Sequence, residues 1–246
     1  MTSKFKEAFE KTKIAGAIAA GALDEVEKFV KPGITTSKID KICYDYINDH
    51  KAYSAPLYYR GFPRSCCTSA NHVVCHGIPS DKILKDGDII NVDVTALKDG
   101  WHGDTSRMFK IGDVSVKAEK LVNTTYEAMM KAIKIIKDGV HLGDIGHVIQ
   151  SHVESQGFSV VQDFCGHGIG KSFHQEPNIL HYGKKGTGEK IKAGMIFTIE
   201  PMINLGNYET KTLNDGWTAV TKDKSLSAQF EHTIGVTSEG YEIFTQ

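Results

Sequence analysis

Four carboxylic acids stand next to apolar segments that are typical of buried β-strands. Asp93 follows a run rich in Ile and Val, Glu200 ends a second such run, and Glu231 lies in a third. Asp104 lies beyond a turn that would fold its strand back against that of Asp93. Acids buried among apolar side chains repel one another and resist ionisation unless a cation neutralises them. The pattern therefore predicts a site for divalent metal ions.

An ordinary alternative places Asp93 and Asp104 at solvated positions of a β-hairpin, since most aspartates are exposed. The hairpin itself is expected, because alternating segments flank Asp99-Gly100, a dipeptide that two-residue turns favour. In such a hairpin Asp93 and Asp104 fall roughly opposite each other, and the Cβ atoms of facing residues are about 4.5 to 5.5 Å apart. Their apolar neighbours favour the metal site over the solvated alternative.

Three histidines lie in settings that also favour ligand binding. His167 lies between two glycines, His174 follows it closely, and His76 precedes a glycine near a turn. A histidine taken singly is more often structural or exposed, and that alternative stays open for each of them. One imidazole with four carboxylates forms an oxygen-rich set that suits Mn, Fe(II), Co or Zn in a two-metal cluster. Such a cluster activates water and polarises a carbonyl, which predicts hydrolysis of an acyl bond.

Helices and strands must bring these groups together. Apolar residues recur at helical spacing from about residue 3 to 31, which predicts an amphipathic helix that ends at Pro32 and Gly33. A second helix is expected to begin near Thr36 or Ser37, with one of these hydroxyls as its cap. Turns and short β-prone segments follow.

Two pairs of segments indicate an internal duplication. Residues 31–34 resemble residues 137–140, and residues 85–90 resemble residues 192–197. The second pair leads into two of the acids, Asp93 and Glu200. The displacement along the chain is nearly the same for both pairs. The sequence thus predicts a duplicated helix-then-strand unit in which each copy supplies a buried carboxylate. Chance similarity is the alternative, because short patterns recur often.

Composition limits the classes of protein that this chain can represent. With 246 residues, 40% of them hydrophobic, the chain suits one large domain with a substantial core. Its 29 basic and 30 acidic residues nearly cancel, so neither stable nucleic-acid binding nor an anionic membrane is indicated. Five cysteines show no paired spacing and no CxxC zinc motif, which favours a reducing cytoplasm. No apolar run approaches the roughly 20 residues that span a bilayer.

Six short segments, taken in order, resemble the type I methionine aminopeptidase family. They are CHGIP at 75–79, NVDVT at 91–95, DTSRMF at 104–109, GHGIG at 166–170, FTIEP at 197–201 and FEHT at 230–233. The resemblance implies an α/β (α+β) fold of the "pita-bread" type. In that fold a curved antiparallel sheet, covered by helices, forms two pseudo-symmetric halves around a dinuclear metal site. The halves would be about residues 1–110 and 111–246 of a single catalytic domain, 1–246.

The resemblance also assigns the metal site. It implies two divalent ions (Co, Mn, Fe(II) or Zn) and a hydroxide that bridges them and attacks the scissile carbonyl. Asp104 and Glu231 would bridge both ions. The full set of implied metal ligands is Asp93, Asp104, His167, Glu200 and Glu231.

Further residues would bind substrate or take part in catalysis. Glu200 would shuttle the proton of the attacking hydroxide, while His76 and His174 would bind the scissile amide and the developing oxyanion. Core packing is the alternative for the aromatic members of the implied methionine pocket. That pocket consists of Tyr59, Phe62, Cys67, Phe173 and Trp217.

The implied activity is hydrolytic removal of the initiator methionine from nascent proteins, with a preference for a small second residue. The enzyme would be a cytoplasmic monomer that contacts the ribosome transiently. Only 26 positions separate His174 from Glu200. This is too few for the roughly 60-residue insertion that marks the type II family. The distinction rests on resemblance alone.

Three other functions deserve comparison with this one. Prolidases and aminopeptidases that act before proline usually carry a large additional amino-terminal domain, whereas a short segment precedes CHGIP here. A metal-free, creatinase-like member of the fold would have lost some of the five ligands, and all five are present. A non-catalytic protein that docks on ribosomes or RNA would show lost ligands or a basic face. The methionine aminopeptidase interpretation is therefore preferred.

Overall fold

The computed structural model describes residues 3–246 as a mixed α/β protein whose paired strands are antiparallel. Its helices are α1 (Ser3–Glu27), α2 (Thr36–Asp49), α3 (Val116–Lys134) and α4 (Leu142–Ser155). The first strands are β1 (Tyr53–Ser54), β2 (Cys67–Ala70), β3 (Val73–Cys75), β4 (Ile89–Lys98) and β5 (Trp101–Lys110), with a 3₁₀ turn at Tyr59–Gly61. In the part of the chain described, no helix is long and apolar enough to cross a membrane.

The remaining strands belong to the second half of the chain. They are β6 (Ser159–Val160), β7 (Gly166–Gly168), β8 (Gln175–Ile179), β9 (Ile196–Ile199), β10 (Met202–Asn204), β11 (Thr210–Thr212), β12 (Ala219–Thr221), β13 (Ser227–Gln229), β14 (His232–Val236) and β15 (Tyr241–Ile243).

The first helix ends earlier than the sequence predicts. α1 stops at Glu27, and turns carry the chain from there to Gly33, which has a φ of +96°. Proline disfavours the helical conformation of the residue before it, so Lys31 could not continue the helix into Pro32. Phe29 is 45% exposed, so burial of its side chain gives little stabilisation to a longer helix. The predicted end near residue 31 was therefore wrong by about one turn.

The cap of α2 is the residue just before the predicted one. The hydroxyl of Thr35 accepts the N–H of Lys38 at 3.2 Å, so Thr35 is the N-cap. The Thr36 hydroxyl instead donates to the carbonyl of Ser80 at 2.9 Å and ties the helix start to the loop before β4. The predicted cap at Thr36 or Ser37 was wrong, although the start of the helix was correctly placed.

Strands β4 and β5 form the predicted hairpin. The turn residues Asp99 and Gly100 have φ values of +49° and +81°, the signs that a type I′ turn requires. Thr95 faces Asp104 in the register, and Asp93 faces Ser106. The two acids are therefore diagonal neighbours on one face of the hairpin, not opposite each other as predicted.

Two larger sheets meet at the end of this hairpin. β4 pairs with β5 along one edge and with β1 and β2 along the other, and the five-stranded sheet has the order β15-β14-β9-β7-β8. Ser106 on β5 and Glu231, just before β14, exchange backbone hydrogen bonds of 3.4 and 3.1 Å. Smaller sheets have the orders β13-β10-β6 and β11-β12-β3. Residues of both large sheets can therefore face a common site.

Each large sheet has its own apolar core. Helices α1 and α2 pack on β4, and the buried side chains between them include Leu23, Ile39 and Ile47 of the helices and Ile90 and Val92 of the strand. α3 and α4 bury side chains against β9 and β14, among them Met129, Ile133, Ile149, Phe197 and Ile234. Full burial of one such side chain stabilises the fold by about 1.5 to 3 kcal/mol. Two helix-covered cores thus hold the sheets rigid.

The predicted internal duplication is visible in the backbone. The N–H of Gly33, before α2, donates to Leu84 at 2.8 Å, and the N–H of Gly139, before α4, donates to Ile191 at 2.9 Å. Each acceptor lies shortly before a strand that leads to the site, β4 or β9. The same local unit therefore occurs twice, while the division of the chain near residue 110 remains a prediction.

Helix α1 packs unusually close to β5, and this contact can be tested. A Cβ added at Gly103 would lie 2.2 Å from the backbone nitrogen of Gly16, so one partner would have to move. We expect Gly103→Ala to cost about 1 to 3 kcal/mol, as overpacking does. That is about 3 to 10 °C in Tm for a chain of this size, measured by thermal unfolding.

Gly240→Ala is the matched control, because the nearest atom to its added Cβ is the carbonyl oxygen of Ile136 at 3.9 Å. A Gly103→Ala protein as stable as the Gly240→Ala protein would contradict the close packing of α1 on β5.

Candidate metal centre

The predicted site residues line one cavity of about 410 Å³. Strands of both large sheets contribute to it, since Asp93 lies on β4, Asp104 on β5 and His167 on β7, while Glu200 follows β9 and Glu231 precedes β14. The structure thus brings all the predicted residues together. The other lining members are His76, His174, Tyr59, Phe62, Cys67, Phe173 and Trp217.

The acids and the imidazole of His167 lie within reach of a shared cation. One ligand atom from each of Asp104, His167 and Glu231 lies within 4.8 Å of the other two. Nε2 of His167 is 3.7 Å from Oδ2 of Asp104 and 3.5 Å from Oε1 of Glu200. Asp93 lines the same cavity and raises the carboxyl pKa of Asp104 by its charge.

Burial dominates the electrostatics of the carboxyl groups. It raises the pKa of Asp93 to about 7. Burial also raises the pKa values of Asp104, Glu200 and Glu231 well above their usual range, and neighbouring carboxylates raise them further. Without a counter-ion, these groups would therefore resist ionisation at neutral pH.

The imidazoles are held neutral by the same burial. It lowers the pKa of His167 to about 4, and it also lowers the pKa values of His76 and His174. Nδ1 of His167 lies 3.1 Å from the carbonyl oxygen of Gly168, which leaves Nε2 toward the carboxylates. A neutral imidazole with one nitrogen fixed in this way is the form that binds metal ions.

Threonine hydroxyls orient the acids. Thr198 accepts the N–H of His167 at 3.0 Å and donates to Oε1 of Glu200 at 2.8 Å, so one buried side chain joins two of the predicted ligands. Thr95 donates to Oδ1 of Asp104 at 2.7 Å. Neither threonine was predicted from the sequence. Thr95 lies two residues after Asp93, and Thr198 lies two residues before Glu200, so strand alternation places each on the same face as an acid.

Two further partners of Glu200 were also missed. Nε2 of the buried His181 accepts the backbone N–H of Glu200 at 3.1 Å, and burial lowers the pKa of His181 to about 3. The side-chain amide of Gln229 donates to Oε2 of Glu200 at 3.3 Å. No local motif marks His181 or Gln229, because each reaches Glu200 from another strand or loop.

The residues present fit divalent metal ions. Oε1 of Glu231 is buried and has no hydrogen-bond partner among the described residues. An unpartnered carboxylate oxygen, surrounded by other acids with raised pKa values, is costly to bury unless a cation binds it. The predicted donor set contains four carboxylates and one neutral imidazole. Cys67 lines the same cavity, but burial raises the pKa of its thiol, so it is not a thiolate donor. This oxygen-rich set suits hard or borderline divalent ions.

Aromatic side chains form the wall beside these ligands. Phe62 is buried and meets Trp217 edge to face at 5.2 Å, and Tyr59 meets Phe173 at 4.9 Å. The ring of His76 lies edge to face with Trp217 at 6.1 Å, and its backbone has a φ of +56°. Such a strained conformation in a residue other than glycine is typical of functional sites.

A stack of rings holds His174 at the rim of the cavity. The ring of buried His102 stacks on Phe173 at 5.5 Å, and Phe173 stacks on His174 at 4.1 Å. Nδ1 of His102 lies 2.9 Å from the carbonyl oxygen of Gly170, and the Tyr59 hydroxyl lies 3.0 Å from Nδ1 of His174. His102 was not predicted from the sequence, although it lies two residues before Asp104 on β5, so the two side chains share a face of the strand.

Comparison with known proteins shows the family. The sequence profile of metallopeptidase family M24 matches residues 10–238. The chain belongs to metallopeptidase family M24.

Close M24 relatives carry a more specific name. The methionine aminopeptidase of Rickettsia prowazekii (strain Madrid E) is 58% identical over 238 residues, 96% of this chain and 92% of the relative. That of Escherichia coli (strain K12) is 54% identical over 244 residues, 98% of this chain and 92% of the relative. The crystal structure of the Rickettsia prowazekii enzyme superposes with a TM-score of 0.97 at 57% identity and covers 98% of both chains.

These findings confirm two predictions from the sequence. The family resemblance is confirmed, and so is the mixed α/β fold with antiparallel sheets, which matches the M24 methionine aminopeptidase structures. As an M24 metallopeptidase with a buried Asp, His and Glu group, the chain uses divalent metal ions. The individual ligand assignments remain predictions.

Metal removal should destabilise the M24 chain in a manner that depends on pH. The carboxyl pKa values of the metal-free site lie above the usual values near 4, so the acids favour folding at low pH. This stability is lost as pH rises through the folded pKa, about 7 for Asp93. We expect the Tm of chelator-treated protein to fall between about pH 5 and pH 8, and Mn²⁺ to raise Tm more at pH 8.

Asp93→Asn should raise the Tm of the metal-free protein at pH 8 and reduce the stabilisation by Mn²⁺. Glu239→Gln, at an exposed glutamate, should do neither. Equal Tm values for the metal-free protein at pH 5 and pH 8 would refute the electrostatic account.

Proposed function

We propose that the chain is a methionyl aminopeptidase, which hydrolyses the bond after the N-terminal methionine of nascent proteins and peptides. The observation that carries the proposal is the aromatic and thiol-lined pocket directly beside the buried acids, in one cavity. Relatives named methionine aminopeptidase match nearly the whole chain, which supports it.

The five predicted ligands would hold two divalent ions, with Asp104 and Glu231 shared between them. Bound divalent ions polarise a carbonyl oxygen and lower the pKa of water, so that a nucleophile is available near neutral pH. Co, Mn, Fe(II) and Zn are all compatible with carboxylate and imidazole ligands. Because affinity alone does not select among these ions, their availability decides which one binds.

Glu200 handles the proton of the reaction. Its carboxylate takes a proton from the attacking water and passes it to the nitrogen that leaves when the C–N bond breaks. Thr198 and Gln229 hold its two oxygens, and His181 holds its backbone N–H. These contacts restrain the carboxylate while its protonation state changes.

His76 and His174 bind the reacting peptide group. Both line the cavity, and burial lowers both pKa values, so each imidazole is neutral and carries a single N–H. Nδ1 of His174 lies 3.0 Å from the Tyr59 hydroxyl. When that hydroxyl donates, the ring hydrogen of His174 lies on Nε2. This N–H can then donate to the oxyanion as charge develops on the carbonyl oxygen.

The aromatic wall selects methionine. Burying a methionine side chain contributes about 1.5 to 3 kcal/mol. Sulfur contacts with rings add about 0.3 to 1.5 kcal/mol. The rings of Tyr59, Phe62, Phe173 and Trp217 offer such contacts, and Cys67 completes the pocket. We expect a preference for small second residues, as in the family that the sequence resembles.

The proposed substrate sets the biological context. Nascent polypeptides carry their initiator methionine while they are being made in the cytoplasm, so the enzyme would act there and contact the ribosome transiently. A monomer suffices, because every predicted site residue comes from this one chain. Formal charge is −1, which gives no ground for stable nucleic-acid binding.

Release of free methionine from a Met-Ala-Ser peptide tests the proposal. Protein stripped of metal should release none, and restored Mn²⁺ or Co²⁺ should start the reaction. Glu200→Gln should lower kcat by at least about 100-fold, the usual contribution of general acid–base catalysis. Released methionine is measured by chromatography, and folding of each variant by its Tm.

Glu239→Gln serves as the matched control, because Glu239 is exposed and lies outside the cavity. Release of alanine from Ala-Pro peptides, with none from Met-Ala-Ser, would favour a prolidase-like enzyme instead. No release with either metal from a folded sample would favour a non-catalytic binding protein.

The ring stack beneath His174 yields a second prediction. His102→Ala should lower kcat by about 10- to 100-fold with little change in KM, because misplacing a catalytic group by about 1 Å has effects of this size. His102→Phe should retain most of the activity, because it keeps a ring on Phe173 while the backbone N–H of residue 102 still donates to Gly170. Equal activities of the two variants would show that stacking does not position His174.

A further inference from the structure

The guanidinium of Arg60 has no anionic partner within the described part of the chain. The other two arginines are engaged, since Arg107 bridges Asp24 and Glu27, and Arg64 donates to the carbonyl of Pro79. Arg60 makes neither a hydrogen bond nor an ion pair with a described residue. Its guanidinium carbon instead lies 5.3 Å from the centre of the Tyr59 ring. A full positive charge is thus left available to a ligand.

Arg60 lies at the cavity that would receive the substrate. It lines the same cavity as the predicted metal ligands, and it is exposed, so it lies at the mouth. The Tyr59 ring next to its guanidinium lies 5.2 Å from the ring of His174. If the methionine of a peptide fills the aromatic pocket and its scissile bond lies at His174, the residues after that bond would extend out of the cavity beside Arg60.

The backbone holds Arg60 in a strained conformation. Tyr58 and Arg60 have φ values of +64° and +48°, which side chains other than glycine rarely adopt. The loop is nevertheless anchored, because Phe62 is buried against Trp217 and accepts the N–H of Tyr58 at 2.8 Å. Strain that persists in an anchored loop at a cavity is typical of functional positions. The loop therefore presents Tyr59 and Arg60 together, one toward the pocket and one at its mouth.

We infer that Arg60 is a specificity-determining residue that favours substrates with a carboxylate side chain shortly after the scissile bond. This inference rests on the proposed function and extends it beyond the second residue. Guanidinium groups bind carboxylates with two parallel hydrogen bonds, a geometry that ammonium groups lack. The contact is exposed, so its effect is modest.

Besides the four carboxyl groups of the predicted metal site, one exposed acid lines the same cavity. Asp163 is exposed and lines it, and its Oδ2 accepts a hydrogen bond of 2.5 Å from the Thr210 hydroxyl. An acidic substrate side chain would be repelled by Asp163 and attracted by Arg60. Because Asp163 is tied to β11 by this bond while Arg60 has no such partner, Arg60 is the better placed of the two to move onto a ligand.

Competition between peptides tests the inference. The peptides are Met-Ala-Asp-Ser, Met-Ala-Ser-Ser and Met-Ala-Lys-Ser, and a second set carries the variable residue at position four. All are amidated at the carboxyl end, so that the terminal carboxylate does not mimic an acidic side chain. We expect kcat/KM to be about two- to fivefold higher for Asp than for Ser in at least one set, the range of exposed ion pairs, and lowest for Lys.

Variants then assign the preference to Arg60. The ratio of Asp to Ser peptides, measured within each variant, should fall to about one in Arg60→Ala and invert in Arg60→Glu. Lys120→Ala removes the same charge from α3 and should keep the wild-type ratio. The wild-type ratio should also shrink in about 1 M salt, where the Debye length is near 3 Å.

Each outcome separates the two proposals. Methionine release from all peptides without an Asp preference overturns the role of Arg60 and leaves the aminopeptidase intact. A preference that survives in Arg60→Ala likewise overturns it. No methionine release from any peptide by the wild-type protein would refute the proposed function itself.

Discussion

The burial of four carboxyl groups beside one imidazole is the constraint on which the rest of this structure depends. Charges of one sign in an apolar interior repel each other and lose hydration, and a buried carboxylate oxygen of Glu231 lacks any hydrogen-bond partner among the described residues. Divalent ions remove this penalty. The same raised carboxyl pKa values that would destabilise the metal-free protein thus make the site a strong ligand set for metal.

The fold supplies the rigidity that such a site needs. Two helix-covered cores hold the two large sheets, and backbone bonds between Ser106 and Glu231 join those sheets at the acids. The turn before α2 and the turn before α4 each bond to the segment that precedes β4 or β9. These strands carry Asp93 or lead directly to Glu200. Duplication therefore explains why acids from distant parts of the chain face one cavity with similar surroundings.

The residues proposed to select the substrate lie in a different part of the molecule from the predicted metal ligands. The acids lie on or beside strands, whereas Tyr59 and Arg60 lie on a strained loop that buried Phe62 anchors. Loops on a rigid scaffold tolerate sequence change more readily than core strands do. Substitutions in this loop could therefore change the proposed substrate preference and leave the buried acids in place.

The sequence by itself indicated the family through six motifs in order, and that resemblance implied the α/β class and the residues that meet at the site. From the residues alone, acids next to apolar strand segments predicted a metal site, because buried acids need a counter-ion. The sequence also predicted the hairpin at Asp99-Gly100, whose turn chemistry is local. Only the tertiary structure decided the diagonal register of Asp93 and Asp104, and the support that His181 gives to Glu200. Such contacts depend on backbone geometry and on residues distant in sequence, and no local pattern encodes them.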